Sequence, residues 1–518
     1  MEMMLTSLSQ GAAILARPEV IALLALGVLW GSFCGVLPGV GSAVGIGVMV
    51  PLTYSLDPVS AVAFLVSISV ANSFGNGLPA AVLGIPGGAA GVLTAIEGHA
   101  LTKRGLGGLA VGTNWFACVV GQFVSIPFFL LLVVPLANIV FVFLSPELTA
   151  LYALGLAALV SLTGRNIFKG IAAAILGLAI GLVGPDPVSA VTRFAFGVPE
   201  LRRGIATIPA VLGIVAISEI LRSMRQVYAW GDILPMTRMT AAFPGFGALR
   251  KSMRPVLTGS VIGTLIGAIP GMSGTAAAVI SYNQARLTSR TPEQFGNGST
   301  EGLAANESAQ NAAQAGEMIP TLGLGIPGSD SMVLVMGALM LQGFVPGPLM
   351  MRGAPELLYA TVAGLLGGAL LLLLFGWQIG KFVMMFTRID RSVILPCAFA
   401  VTIIGVFAFR NSLFDVSVTL IFGLIGYFML RYGFPVVATA VAAVLGSGFE
   451  TNLRQGILLM DSSPIKFLSR PWTAGIMAVV VLLLTYGTYN TVKLIRRDRA
   501  RLKDSEARAN LERTTPET

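Results

Sequence analysis

The feature that most constrains this chain is a polar stretch, residues 296–348, that prolines interrupt inside an otherwise apolar sequence. Its polar side chains include Glu301, Glu307, Asn311, Gln314, Glu317 and Asp330. We expect Pro320, Pro327, Pro346 and Pro348 to deny it one continuous helix, because proline lacks an N–H and clashes with the preceding turn. In hydrocarbon, broken helix is tolerated only where protein buries it or where it lines a wet cavity. The stretch is therefore predicted to form a binding site within a membrane.

The composition supports that setting. The chain has 518 residues, of which 55% are hydrophobic and only 11% are charged, and its mean hydropathy is +0.83. So few charges cannot solvate a globular protein of this length, which places the chain in a bilayer. The net charge of +9 comes from basic residues beside apolar runs, so they are interpreted as topology markers. Cys34, Cys118 and Cys397 all lie in apolar runs and predict no disulfide framework.

A glycine–proline pattern occurs twice. GSFCGVLPGVGSAVG (31–45) matches GTLIGAIPGMSGTAA (263–277) with a shift of 232 (270 − 38). LPAAVLGIPGG (78–88) matches IPTLGLGIPGS (319–329) with a shift of 241 (327 − 86). The glycine spacing alone is also typical of close helix packing in lipid. Broken segments at corresponding places in two halves, however, are the best sequence indication of a transporter's midplane site.

The apolar runs predict an all-α polytopic membrane protein with about eleven spans, at about 20 residues each, plus half-helices and re-entrant hairpins in two inverted repeats. The predicted units are a first repeat (1–221), a basic connector (222–254), a second repeat (255–492) and a basic tail (493–518). Basic residues in the connector and the tail place both in the cytoplasm and the N-terminus in the periplasm. Asp57 and Pro58 are predicted as the N-cap and first residue of a helix.

Four short segments follow prolines and precede apolar runs, as expected for half-helices that begin inside the membrane. Such ends point free N–H groups and about half a positive charge at a ligand, so four of them would bind carboxylates without buried arginines. The predicted substrate-binding residues are Gly39, Gly41, Ser42, Asn76, Gly87, Gly88, Ser273, Gly274, Asn311, Gly328 and Ser329. The predicted ligands of a coupling ion, Na⁺ or H⁺, are Asn72, Ser73, Glu307 and Asp330.

Some of these residues have a second interpretation. Glu307 and Asn311, four positions apart, share a helix face and also fit helix–helix hydrogen bonding. Gln310 and Gln314 lie on an adjacent row, which the functional interpretation makes part of a polar wall along a translocation path. Asp330 would repel an anion unless it is protonated or ion-bound.

The sequence offers little for catalysis. The single histidine, His99, follows Glu97 and lies near Lys103, which is typical of an interfacial side chain. Neither a Walker A pattern nor HExxH occurs, so ATP-driven pumping and zinc proteolysis have no residues to carry them. An alternative interpretation as an intramembrane transferase needs a positioned base, and only one histidine is available. We therefore expect that the protein is not an enzyme and has no cofactor.

Several motifs in this order resemble one family. They are LPGVG (37–41), PLTYSLDP (51–58), FGNGLPAAVLGIPG (74–87), GPDPVSAVTRFAFG (184–197), IPGMSGTAAAVISY (269–282), PEQFGNGSTEGLAANES (292–308), LGLGIPGS (322–329) and GFVPGP (343–348). The chain is similar here to the large membrane subunit of tripartite tricarboxylate transporters, the TctA family. The resemblance implies a small four-span subunit, a periplasmic solute-binding protein, and import of carboxylates across the bacterial inner membrane on a Na⁺ or H⁺ gradient. The alternative within transport is a stand-alone organic-anion symporter or exporter.

Overall fold

The computed structural model describes residues 2–37, 41–84, 91–140, 143–163, 166–186, 191–227, 245–250, 252–272, 274–385 and 391–514. Within these ranges almost every ordered element is a helix, which confirms an all-α polytopic architecture.

The helices of the first part of the chain are α1 Glu2–Leu15, α2 Pro18–Val36, α3 Ser42–Thr53, α4 Pro58–Leu83, α5 Gly91–Lys103, α6 Gly107–Val140, α7 Ser145–Thr163, α8 Ile167–Gly181, α9 Thr207–Leu212, α10 Ser218–Val227 and α11 Phe246–Arg250. Those of the second part are α12 Met253–Gly267, α13 Gly274–Thr288, α14 Thr300–Gly323, α15 Asp330–Leu341, α16 Pro348–Gly353, α17 Glu356–Met385, α18 Arg391–Arg410, α19 Leu413–Arg431, α20 Val436–Leu459, α21 Pro464–Ser469 and α22 Pro471–Thr514. A π-helical turn, Gly213–Ile217, joins α9 to α10. The strands β1 Gly184–Pro185 and β2 Thr192–Arg193 form one antiparallel hairpin.

Eight helical segments in the described part of the chain are long and apolar enough to cross a membrane. They are Pro18–Val36, Pro58–Leu83, Gly107–Asn138, Thr207–Arg225, Glu356–Val383, Leu413–Arg431, Val436–Leu459 and Pro471–Lys493. The prediction of about eleven spans also counted shorter apolar runs, which the structure contains as helices such as α7 and α8.

The start of α4 is as predicted. Asp57 Oδ1 accepts hydrogen bonds from the amides of Val59 and Ser60, each at 3.1 Å, and Pro58 is the first helical residue. A carboxylate at this position satisfies amides that have no partner inside the helix. The helix then continues without interruption to Leu83, where Gly84 adopts φ 69° and ends it.

The polar stretch is less broken than its prolines suggested. α14 is one helix of 24 residues, and Pro320 lies in its last turn without ending it. A proline near a helix C-terminus removes only one of the last hydrogen bonds, so the helix can end three residues later. Pro79 takes the equivalent place in α4, also inside the helix. The interruption falls instead on the segment between α14 and α15.

α4 and α14 form the centre of the molecule. α4 packs against α2 and α17, while α14 packs against α12 and α6. Nearly every residue of both helices is buried, including the polar ones of α14. α3 packs on α15 and α18, which brings the starts of short helices from both halves of the chain together. A separate group of helices, α7, α8, α20 and α22, packs together and contacts α9, α15 and α19 through α20.

The two halves use equivalent glycines for the same close approach. A side chain at any of these glycines would collide with a backbone carbonyl of the neighbouring central helix. The collisions are Gly31 with Ile68 and Gly263 with Ala309, and Gly35 with Asn72 and Gly267 with Ala313. The glycines differ by 232 (263 − 31) and their partners by 241 (309 − 68), which are the shifts of the two sequence motifs. Glycines thus allow the backbones of α2 and α4, and those of α12 and α14, to pack in direct contact.

Three boundaries differ from the sequence expectations. α10 continues into the predicted connector, so Arg222 is helical. α20 continues beyond its apolar run to Leu459, and α22 extends through the start of the basic tail at 493. Polar turns at the ends of apolar helices remain helical because backbone hydrogen bonds continue beyond the apolar run.

Candidate functional site: a polar cavity at the helix starts

One cavity of about 480 Å³ lies where the starts of α3, α13 and α15 meet the polar face of α14. Its polar and small lining residues are Gly41, Ser42, Asn72, Ser73, Asn76, Glu219, Arg222, Gly274, Gln310, Gln314, Glu317, Ser329, Asp330 and Ser331. The volume is within the range of small-molecule binding sites.

The helix starts at the cavity come from both halves of the chain. α3 begins after Gly41, whose extended backbone (φ −73°, ψ 178°) sets the N-cap without a side-chain hydrogen bond. α15 begins after Ser329, whose hydroxyl accepts from the Met332 amide at 3.4 Å. The hydroxyls of Ser42 and Ser331 lie 2.5 Å apart and join the two starts directly. Helix N-termini from different parts of the chain therefore converge on one site.

The polar face of α14 supplies the opposite wall. Gln310, Gln314 and Glu317 follow each other at helical spacing and all line the cavity. The Ser69 hydroxyl of α4 donates a hydrogen bond to Gln314 Oε1, so the central helices are linked across the site. Glu317 Oε2 accepts from Ser329 Oγ at 2.7 Å, and the Gly274 amide lies beside this carboxylate. Glu317 thus contacts the N-terminal ends of α13 and α15.

The charge in the cavity is mainly acidic. Glu219, Glu317 and Asp330 contribute three carboxylates, and Arg222 contributes one guanidinium. Arg222 lies 3.4 Å from Glu219, one turn away on α10, and its side chain is half exposed. Asp330 Oδ1 accepts from the Ser331 amide at 2.9 Å. The sequence analysis assigned Arg222 to the connector and expected no arginine at the site, whereas the longer α10 brings it into the wall.

Most of the predicted site residues that the structure describes line this cavity. They are Gly41, Ser42, Asn72, Ser73, Asn76, Gly274, Ser329 and Asp330. Gly39, Gly87, Gly88 and Ser273 lie outside the described residues. The remaining three, Glu307, Asn311 and Gly328, are buried elsewhere and are not in the wall.

Glu307 belongs to a separate buried network between α5, α6 and α14. Thr94 Oγ1 donates to Glu307 Oε1, and Cys118 Sγ donates to Oε2 at 3.7 Å. Asn306 Nδ2 lies 2.6 Å from Thr94 Oγ1 and closes the group. Asn311, one turn after Glu307, donates to the Val70 carbonyl at 3.4 Å. These contacts match the alternative interpretation, in which the Glu307–Asn311 face makes helix–helix hydrogen bonds.

Gly328 also has a packing role. A side chain there would lie 2.6 Å from the Glu317 carbonyl oxygen, so the glycine lets the α14–α15 connection pass against α14. Its amide donates to Thr321 Oγ1 at 3.1 Å. This contact holds Ser329 where its hydroxyl reaches Glu317.

The cavity contains residues that the sequence analysis did not select. Glu317 was named only among the polar side chains of the stretch, although it follows Gln310 by seven positions and therefore lies on the same helix face. That spacing was a usable signal. No sequence pattern pointed to Glu219, because it lies on α10, far along the chain from every motif. Only tertiary packing brings it to the site.

A second buried carboxylate fixes the start of α14. Glu97 of α5 accepts hydrogen bonds from the Tyr282 hydroxyl at 2.6 Å and from the amides of Gly296, Gly298 and Ser299 at 2.6, 2.8 and 2.7 Å. Burial and the bond to Glu97 raise the pKa of Tyr282, which therefore stays a hydrogen-bond donor at physiological pH. Four donors on one carboxylate tie α5 and α13 to the loop that leads into α14.

Within the ranges that the structure describes, no group of three or more histidine, cysteine, aspartate or glutamate side chains could hold a metal ion.

Comparisons with known proteins agree with this architecture. The Tripartite tricarboxylate transporter TctA family matches residues 21–440 of the chain. An uncharacterized 52.8 kDa protein from the TAR-I ttuC′ 3′ region of Agrobacterium vitis is 30% identical over 477 residues, which cover 92% of this chain and 94% of the relative. An uncharacterized protein from the TAR-II ttuC′ 3′ region of the same organism is 34% identical over 228 residues, 43% of this chain and 94% of the relative. No solved structure matches the chain significantly. The chain therefore belongs to the TctA family of tripartite tricarboxylate transporters.

Proposed function

We propose that this chain is the membrane-translocating subunit of an ion-coupled secondary importer of tricarboxylates or related organic carboxylates, and that it depends on a binding protein. The observation that carries the proposal is the cavity itself. It joins the starts of α3, α13 and α15 with the polar face of α14, deep among buried helices. Helix N-termini favour anions. Polar groups at membrane depth are energetically costly, so their presence there indicates a functional site.

The equivalent glycine contacts support two inverted repeats. In this proposal residues 1–221 and 255–492 are the repeats, 222–254 is a cytoplasmic connector, and 493–518 is a cytoplasmic tail. The chain then resides in the bacterial inner membrane with its N-terminus in the periplasm. Repeats of opposite orientation place their half-helices at one midplane site and permit alternating access.

The partners follow from the family. A small four-span membrane subunit and a periplasmic solute-binding protein would complete the system. Coupling to Na⁺ or H⁺ suits a cavity with three carboxylates and one arginine, because an anion entering it needs charge compensation. We propose no cofactor and no catalytic activity.

Uptake by proteoliposomes tests this function. The chain is reconstituted with a small four-span subunit of the same transporter family, and radiolabelled citrate, tartrate and succinate are offered under an inward Na⁺ gradient or an inward pH gradient. We expect uptake of at least one carboxylate that requires both the gradient and the added binding protein. Full-rate uptake without a binding protein would favour the stand-alone symporter, and no uptake of any carboxylate would contradict transport.

A further inference from the structure

Asn76 and Glu317 occupy equivalent positions in the two halves, since they differ by the same shift of 241 (317 − 76). Both line the cavity, but their chemistry differs. Glu317 is a carboxylate that already accepts a hydrogen bond from Ser329. Asn76 is neutral, and its buried Oδ1 has no hydrogen-bond partner among the described residues. The two halves of the cavity are therefore not interchangeable.

The amide donors at the helix starts are distributed in the same unequal way. In α15, the Ser331 amide is capped by Asp330 and the Met332 amide by Ser329. In the part of the chain that the structure describes, the first amides of α3, at Ser42 and Ala43, make no such bond. Free N–H groups with the positive end of a helix dipole thus remain at the first-half wall.

A serine hydroxyl at the same wall points to a ligand there. Ser73 is only 8% exposed as a residue and lines the cavity, and its hydroxyl makes no hydrogen bond to any described residue, so it can donate to a molecule in the cavity. A ligand that fills the cavity displaces water from this hydroxyl, and the ligand must then accept its hydrogen bond to avoid leaving the donor unsatisfied. A carboxylate can accept bonds from Ser73 and from the α3 amides together.

The second-half wall repels an anion instead. Glu317 and Asp330 both face it, and like charges a few ångströms apart in a partly buried site cost several kcal/mol. Carboxylate oxygens with neighbouring hydroxyls are the ligands that hard cations prefer.

Resting on the transport function proposed above, we propose that the cavity is divided between the two halves. A substrate carboxylate binds at the start of α3, where it accepts from the Ser73 hydroxyl and from Asn76 Nδ2, and the compensating cation binds at Glu317 and Asp330. The subsites adjoin, because Ser42 and Ser331 are in contact. Cation binding would neutralise the wall that otherwise repels the substrate.

Two charge-changing substitutions test the two subsites independently. Asn76→Asp adds a negative charge at the anion subsite, and Glu317→Gln removes one at the cation subsite without changing shape. Matched controls are Asn411→Asp and Glu356→Gln, which make the same changes at exposed positions outside the cavity. Citrate, tartrate and succinate binding is measured by calorimetry on the complex purified with its small subunit. Na⁺ is varied against choline at constant ionic strength, and pH is varied in a parallel series.

We expect Asn76→Asp to weaken carboxylate binding at least about tenfold while Na⁺ or H⁺ alone still raises the melting temperature. Glu317→Gln should bind the carboxylate with an affinity that no longer depends on the cation. The Na⁺ and pH series show which cation is used. Undiminished cation dependence in Glu317→Gln, or wild-type carboxylate affinity in Asn76→Asp, would overturn the division. A wild-type complex that binds no carboxylate contradicts the transport function and the anion subsite together. Cation stabilisation lost only in Glu317→Gln would then support the cation subsite by itself.

Discussion

Ser329 and Glu317 are twelve positions apart, yet the serine hydroxyl donates to the glutamate carboxylate at 2.7 Å. This bond closes the connection between α14 and α15 and places a carboxylate at the start of α15. It is made possible by Gly328, whose missing side chain lets the connection lie against the backbone of Glu317. The geometry of the cavity depends on this contact.

Gly328→Val is expected to abolish uptake while the protein still inserts into the membrane. A Cβ at this position lies 2.6 Å from a backbone oxygen, so the α14–α15 connection must shift, and overpacking of this kind costs about 1–3 kcal/mol. Ser329 then loses its position against Glu317. The measurement is carboxylate uptake normalised to the amount of folded protein. Gly475→Val in α22, where an added side chain meets open space, is the control. Normal uptake in Gly328→Val would show that the contact is dispensable.

Glu97→Gln is expected to destabilise the protein more than Tyr282→Phe. The glutamine amide would present N–H groups to backbone donors that now bind a carboxylate, at a cost of about 3 kcal/mol. Removing the tyrosine hydroxyl deletes one of the four bonds and costs about 1 kcal/mol. Melting temperatures of the purified variants should fall in that order. Glu293→Gln, in the exposed part of the same loop, controls for the loss of charge. Equal melting of Glu97→Gln and wild type would refute the role of this cluster.

Glu307 is expected to act in packing rather than in ion coupling. Glu307→Ala leaves the Thr94 hydroxyl and the Cys118 thiol without their acceptor, so we expect a loss of about 1–3 kcal/mol in stability. Glu307→Gln keeps an acceptor oxygen, and its uptake should retain the wild-type dependence on Na⁺ and pH. Uptake kinetics measured across both ions check this. If Glu307→Gln transports but no longer responds to either ion, the coupling site lies at this network and not in the cavity.

Local sequence patterns predicted much of this molecule. Asp57–Pro58 started α4 as expected, and the repeated glycines marked the contacts of the central helices, because these features depend on backbone geometry within a few residues. Eight of the residues predicted from these patterns line one cavity. The helix break expected at Pro320 does not occur, because proline breaks a helix interior far more strongly than its last turn.

The remaining differences come from tertiary packing. Arg222 and Glu219 reach the cavity only because α10 continues beyond its apolar run. Glu307 was chosen because a charge at membrane depth is usually functional, yet Thr94 and Cys118 surround it with hydrogen-bond partners from two other helices. A sequence shows that a polar residue lies in an apolar segment, but not which neighbours satisfy it.

The central claim is that carboxylates pass through the cavity, and cysteine accessibility tests this most directly. Thr275 lines the cavity without belonging to either proposed subsite, so Thr275→Cys is introduced after the exposed Cys397 is replaced by serine. Ser125→Cys, buried in α6, is the control. The rate of reaction with a small, charged methanethiosulfonate is measured in proteoliposomes with and without citrate, tartrate or succinate. The account predicts that Thr275→Cys reacts, that the transported carboxylate slows the reaction only when the coupling cation is present, and that Ser125→Cys stays unreactive. A reaction rate at Thr275→Cys that no carboxylate changes, in a preparation that transports, would contradict it.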